Sequence, residues 1–522
     1  MAITTNVSQD DASQGKKRRS NKRESNPRLA NLRGQITESH FNRYIAHDMA
    51  GYLRHVKRGG VKLYSDIELE ELKEAGVSDR LPPRATAHYM ELASKSEAIT
   101  NLIKARPEET EDLSGEKDPS NQLKYSPVPG LLHKYELVLL YVVRTCSSWC
   151  RYCYRSDFLT NKTDKDIGTM SEILEYIRSY NDRVKRGCSI ENVDEAFIHG
   201  DEAQFPIREA LLSGGDPMVL SNRNLFGYLD GLAECGIRTI RIGTKELAFF
   251  PQRFDDNFFA MIDLFHELHP DVNLAFMTHF SHPDELLLKN NNGQYVRTRG
   301  YHYTRIPVTE RAIQRLRSRH YITLENQTPI IDSVNDNAAS LRRLHVELKR
   351  IGINNHYFFQ CREIEGHRTF AVPVEKAWAL HRDAQKGLSG IEKSRFSMST
   401  ESGKMEVVSV IDGITLEALG SALPERVKAA MLEALGDGLV VLKMHRTPQT
   451  NLQSDLIIAR RNPEALWITG YEDRILYDCR KEGKERYAGL NTLLESFFPQ
   501  GAEDKDVESL VTTAANMLTA AT

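Results

Sequence analysis

The chain has 522 residues, 40% of them hydrophobic and 27% charged, and its 69 basic residues nearly balance its 72 acidic ones. That is enough chain for one large core or two moderate ones and the composition of a soluble globular protein. No apolar run approaches the roughly 20 residues that span a bilayer, and no apolar stretch follows the basic amino-terminal residues as a secretory signal would. Four cysteines scattered singly (Cys188, Cys235, Cys361, Cys479) are poor material for a disulfide framework and suit a reducing cytoplasm.

The first feature along the chain is GKKRRSNKRES (15–25), basic and without aromatic residues. Such a stretch buries too little apolar area to fold alone, so residues 1–35 are expected to be a disordered basic arm. It reads as a solvated tail, or as a source of sequence-independent attraction to phosphates. Residues 36–132 are expected to form an N-terminal helical region. Six short, nearly continuous apolar runs follow at 137–143, 209–213, 237–243, 273–279, 321–327 and 356–361, with amphipathic stretches between them, for example at 170–180, 224–235 and 338–352. Buried parallel strands joined by helices have this pattern, so an α/β fold of six βα units is expected over 133–405. Periodicity does not choose between a barrel and an open doubly wound sheet, but in both the functional residues collect beyond the carboxyl ends of the strands. An α+β extension is expected over 406–500, and an acidic linker with a weak helix over 501–522. There are no internal repeats.

Beyond the first strand lies RTCSSWCRYCYRSDF (144–158), with three of the seven cysteines, Cys146, Cys150 and Cys153. Three thiolates on one loop can hold three corners of an iron–sulfur cluster and leave one iron open to a small molecule. The competing reading is a zinc site with a distant fourth ligand, although zinc loops usually come as paired CxxC units and no second pair exists in the sequence.

The C-x-x-x-C-x-x-C loop, with an aromatic residue before its last cysteine, resembles the signature of the radical S-adenosylmethionine (SAM) enzymes. Around it, YSPVPGLLHKYELVLL, LLSGGDPMVLS, IRIGTKELAFFPQR, MTHFSHPDEL, NQTPIIDSVND and FFQCREIEGHRTF resemble, in order, segments of the lysine 2,3-aminomutase family. The resemblance is strong over 118–404 and thinner on either side. It implies a partial (βα)6 radical SAM barrel, a [4Fe-4S] cluster, SAM and pyridoxal phosphate. It also implies a low-potential electron donor such as flavodoxin or ferredoxin, a homo-oligomer, and an isomerase that moves the α-amino group of a free amino acid to the β-carbon.

Residue by residue, the resemblance places Ser213, Gly214, Gly215 and Asp216 against the methionyl part of SAM, and makes Lys404, in TESGKMEV, the lysine that forms a Schiff base with pyridoxal phosphate. The glycine run before Lys404 is shorter than in the family. Near the phosphate, HKYELVLL keeps Lys134 but has Leu137 where a second arginine is expected, so either cofactor binding is expected to be weaker or Arg144 and other residues are expected to take over that contact. Arg155 matches an arginine that holds the substrate carboxylate. Lysine-acting members carry two acids that grip the substrate ammonium, and this chain has Arg362 and Ser399 at those places, which points to a glutamate-like substrate. In the bland alternative, Arg362 pairs with Glu363 or Glu365. His279 and His282 read equally as pocket or structural histidines. The family's zinc-binding cysteines are missing, Asn337 following VND, and residues 180–206 look like an insertion. Two other activities stay open: a lysine-acting or protein-lysine-modifying relative, and an RNA-binding metalloprotein.

Overall fold

The computed structural model describes residues 45–46, 48–160, 167–187, 206–298, 300, 302–423 and 425–497. The basic arm, most of the stretch read as an insertion, and the carboxyl-terminal tail lie outside these residues.

The six apolar runs are strands: β1 (Leu137–Val143), β2 (Glu209–Gly214), β3 (Thr239–Thr244), β4 (Asn273–Thr278), β5 (Ile322–Ile330) and β6 (Asn354–Gln360). Each pairs in parallel with the next in chain order. The order never reverses, so there is no switch point, and the doubly wound alternative is set aside.

The sheet then extends further than the sequence pattern suggests. A seventh parallel strand, β7 (Arg395–Thr400), follows β6, and β8 (Gly403–Asp412), β9 (Gly438–Arg446), β10 (Leu456–Arg460) and β11 (Ile475–Asp478) continue the same sheet antiparallel. A boundary at 405 would run through β8. With the two-residue strand Leu131–Leu132 on the far side of β1, the sheet has twelve strands.

Helices return the chain between the parallel strands: α1 (Met170–Gly187), α2 (Asn222–Glu234), α3 (Asp256–Leu268), α4 (Pro307–Arg317), α5 (Ala338–Ile351) and α6 (Val374–Ala384). In α5 the helical spacing of Leu341, Leu344, Leu348 and Ile351 makes one stripe, and all four are buried. Each such side chain contributes about 1.5 to 3 kcal/mol, and Leu344→Ala would cost about 2 to 5 kcal/mol. Asn337 starts α5 by accepting from the backbone N–H groups of Ala339 and Ser340 at 2.9 and 3.2 Å. Gly352 ends it in the left-handed conformation, with φ 89°. The residue found where the family has a cysteine therefore caps a helix.

Alternation along the strands turns the other set of side chains away from these helices. Leu139, Leu211, Arg241 and Met277, from β1 to β4, all border one cavity on the opposite face of the sheet. Before β1 come the helices Met49–Lys57, Asp66–Glu74, Ala87–Ala93 and Glu97–Ile103, and Leu102 in the last of them bonds the loop that carries the cysteines.

Candidate active site

The cavity beyond the carboxyl ends of the parallel strands has a volume of about 370 Å³. Cys146, Cys150 and Cys153 border it, as do Ser213 to Asp216, Lys134, Arg155, Arg362, Ser399 and Lys404. Residues from segments up to 270 positions apart, Lys134 to Lys404, thus meet in one space.

The cysteine loop is held from both sides. From the N-terminal region, the Arg84 carbonyl accepts from Trp149 N–H at 3.0 Å, the Leu102 carbonyl accepts from Arg151 N–H at 2.9 Å, and the Arg84 guanidinium donates to the Cys146 carbonyl at 3.2 Å. The Arg151 side chain, fully buried, grips the Glu109 carboxylate through Nε at 3.0 and 3.1 Å and donates to the Leu81 carbonyl at 2.7 Å. From the sheet, Gly215 N–H donates to the Val143 carbonyl at 2.6 Å and Asp216 N–H to the Thr145 carbonyl at 2.9 Å. The two glycines have a packing reason of their own. A Cβ on Gly214 would collide with the Val143 carbonyl oxygen and one on Gly215 with that of Thr145. The glycines are needed to dock the end of β2 under the cysteine loop.

Burial pushes all three thiols up, Cys150 to about 12. Among the described residues, no three His, Cys, Asp or Glu side chains are grouped closely enough for a single metal ion. The three thiols all edge the cavity. Three thiols on one loop fit a cluster with a separate iron for each sulfur.

Asp216 is buried and accepts from Met218 N–H at 3.0 Å, Lys245 N–H at 2.7 Å and the Thr244 hydroxyl at 3.0 Å. Burial nevertheless pushes its carboxyl up to about 6. Its neighbour Lys245 donates to the His279 carbonyl, the Ser281 hydroxyl and Glu285 at 2.7, 3.1 and 2.7 Å. His279 borders the cavity within 3.1 Å of the Tyr152 hydroxyl, and burial holds it neutral. His282 is structural: its Nδ1 accepts from Asp284 N–H at 3.2 Å, in a turn behind the cavity wall.

Arg155 is buried between Tyr141 and Tyr154, its Cζ 4.8 Å from each ring centroid, and donates to Ser213 Oγ at 2.5 Å and the Gly214 carbonyl at 3.1 Å. Its Nε is buried without a hydrogen-bond partner. Arg362 also leaves a nitrogen, Nη1, buried without one. The alternative pairings of Arg362 are not formed: Glu363 accepts from the Thr469 hydroxyl at 2.7 Å, and the Glu365 backbone accepts from Arg80.

Lys404 projects from β8 over Tyr357 and Phe359, at 4.5 and 5.3 Å from the ring centroids. Burial, then the charges of Arg446, Arg241 and Arg362, lower its ammonium to about 7. Directly across the sheet from it are Ser399 on β7 and Arg446 on β9. Lys134 donates to the Thr400 carbonyl at 3.1 Å, and burial lowers it to about 8. Arg144 does not take up the place expected of it: it does not border the cavity, and its guanidinium lies over Phe158. The cavity cations that sequence reasoning missed are Arg241, Lys245 and Arg446. The only signal of Arg241 was an arginine inside an otherwise apolar parallel strand.

No protein-family model matches the chain. Among curated proteins it is similar to the putative L-lysine 2,3-aminomutase of Aquifex aeolicus (strain VF5), at 29% identity over 424 residues, 80% of this chain and 94% of the relative. It is also similar to the L-lysine 2,3-aminomutases of Bacillus subtilis (strain 168), at 25% over 368 residues, and of Clostridium subterminale, at 27% over 263. These matches cover 68% and 50% of this chain and 67% and 51% of the respective relatives. Three thiols, a GGD turn and a near-neutral lysine thus surround one cavity in a chain that is similar over most of its length to L-lysine 2,3-aminomutases.

Proposed function

We propose that this chain is a pyridoxal-phosphate-dependent radical SAM 2,3-aminomutase whose substrate is a free acidic α-amino acid, glutamate or a close analogue. The observation that carries the reading is Arg362: a guanidinium with a buried, unpaired nitrogen in the cavity that also gathers the three thiols and Lys404. A cation there favours a distal carboxylate and disfavours a distal ammonium. The curved sheet implied by strands β1 to β7 all bordering one cavity supports a partial (βα)6 barrel.

When bound, the cluster with SAM supplies hydrogen-atom abstraction, and pyridoxal phosphate supplies an electron-delocalising ring for the migrating nitrogen. The chain's own residues do the following. Cys146, Cys150 and Cys153 would hold the cluster. Ser213 to Asp216 line the place for SAM, with Asp216 fixed by Lys245 N–H and Thr244. Lys404, its ammonium lowered to about 7, offers at neutral pH a substantial share of uncharged amine whose lone pair can bond a cofactor carbonyl. Arg155 faces the substrate α-carboxylate while Ser213 and the flanking tyrosines hold it in place. Arg362, just beyond β6, with Ser399 on the adjacent β7, reads the distal end.

No helix of the described residues is long and apolar enough to cross a membrane. A cytoplasmic enzyme, served by a flavodoxin- or ferredoxin-like electron donor and assembled as a homo-oligomer, agrees with this reading. The test is turnover of candidate amino acids by the anaerobically reconstituted protein with SAM and a reductant. Conversion of glutamate to its β-amino isomer, well above that of lysine, is the expected result. Preference for lysine would refute the acidic substrate.

A further inference from the structure

Where the resemblance expects a second arginine to meet the cofactor phosphate, this chain has Leu137, and Leu137 borders the cavity. The structure nevertheless brings a guanidinium to that neighbourhood from a strand 300 residues later in the sequence. Arg446, on β9, lies over the Tyr135 ring with its Cζ 4.7 Å from the centroid and forms an ion pair with Glu136, the residue immediately before Leu137. Its own strand position is directly opposite Lys404. Opposed residues on antiparallel strands point to the same face, with Cα atoms about 4.5 to 5.5 Å apart. Gly403 makes the approach possible: it has φ +141°, and a Cβ there would collide with the Arg446 carbonyl oxygen. Lys134 reaches the same corner, bonded to Thr400 at the end of β7.

We propose that Arg446, with Lys134, holds the dianionic phosphate arm of the cofactor bound by Lys404, supplying from β9 the guanidinium that position 137 lacks. The inference rests on the cofactor reading above and assigns a binding residue to it. Pyridoxal phosphate carries its carbonyl and its phosphate arm on neighbouring ring carbons, so the amine that bonds one must stand beside the cation that holds the other. Lys404 and Arg446 stand in that relation. A planar guanidinium can present two parallel N–H donors to a phosphate, and the pairing with Glu136 orients one edge while five N–H groups are available in all. Arg241 faces the same cavity, but from β3, which does not pair with the strand that carries Lys404.

A substrate carboxylate is also an anion, so the test must separate the two sources. Cofactor-stripped protein is titrated with pyridoxal phosphate and, separately, with pyridoxal, which lacks the phosphate, and binding is followed by absorbance and borohydride-fixed label. Arg446→Met should weaken pyridoxal phosphate binding about 10- to 100-fold, the weight of one charge-assisted hydrogen bond. It should leave pyridoxal within about twofold of wild type on the same reckoning, and Arg446→Lys should recover part of the loss. On the unaltered protein, inorganic phosphate should compete with pyridoxal phosphate and not with pyridoxal. Equal weakening of both ligands, or of neither, overturns the assignment, as does weakened glutamate binding with unchanged pyridoxal phosphate binding. Failure of the wild-type protein to bind pyridoxal phosphate at all would instead remove the cofactor reading itself.

Discussion

Arg362 lies over the face of Tyr154, its guanidinium carbon 4.1 Å from the ring centroid, and Tyr154 directly follows the last cysteine of the cluster loop. The ring's negative face holds the cation without neutralising it. The loop that would bind the cluster therefore also aims the group proposed to select the substrate.

That geometry makes Arg362 the lever for specificity. Arg362→Asp should reduce kcat/KM for glutamate and raise any activity on lysine. A buried charge that loses its partner typically costs about 2 to 5 kcal/mol, so the ratio of the two should move by about two orders of magnitude or more. Competition between the two amino acids for wild-type and variant enzyme reads the ratio directly. An unchanged ratio would return Arg362 to a structural role.

Replacing Cys146, Cys150 or Cys153 by Ala should abolish reductive SAM cleavage, measured as 5'-deoxyadenosine, and lower iron content. Cys235, whose thiol lies against the Leu174 carbonyl at 3.6 Å, and Cys479, buried near β11, should be replaceable without loss of cleavage. The same is expected of Cys188, which lies outside the described residues. Full SAM cleavage by the Cys150→Ala protein would sink the cluster assignment.

The depressed ammonium of Lys404 sets a pH signature. Its folded-state value, about 7, is below that of an ordinary lysine, so the neutral, bond-forming amine is gained as pH rises through 7. The rate of covalent pyridoxal phosphate capture should climb between about pH 6 and 8 and then level, whereas an unperturbed lysine would keep climbing towards pH 10. Removing the nearby charge in Arg446→Met should move the midpoint upward. Stopped-flow absorbance measures both, and a wild-type midpoint near 10 would contradict the buried amine.

The pair of Arg151 and Glu109 joins the helices to the cysteine loop with both side chains almost fully buried. Glu109→Ala would strand the Arg151 charge and should cost about 3 to 5 kcal/mol, seen as a lower denaturation midpoint and reduced cluster retention. Replacing both residues by leucine should recover much of the stability. A Glu109→Ala protein as stable as wild type would show that the brace carries no weight.

The parallel strands were legible because each is covered by helices, which leaves nearly unbroken apolar runs such as LVLLYVV. Their ends shifted by up to three residues, as with β5, which continues to Ile330 through Pro329. The cysteines, the GGD turn and Arg362 were legible as local motifs at strand ends. Arg241 and Arg446 were not. Each sits at an alternate position on its strand, and alternation alone cannot distinguish a side chain facing water from one facing an inner cavity. Nor does the spacing of Lys404 and Arg446 in the sequence reveal that two antiparallel strands set them opposite each other. The use of Gly214 and Gly215 for docking backbone against backbone also required the neighbouring loop to be seen.

The unbroken run of hydrogen bonds from β7 through β11 limits where this chain can be divided. A cut after residue 405 would leave β7 with only the first turn of its partner and bare a row of backbone donors and acceptors, which invites another chain to pair there and aggregate. The strands after Lys404 act as a selvedge that keeps the sheet from unravelling at its catalytic side. A shortened enzyme with a clean edge would have to be trimmed beyond β11 instead.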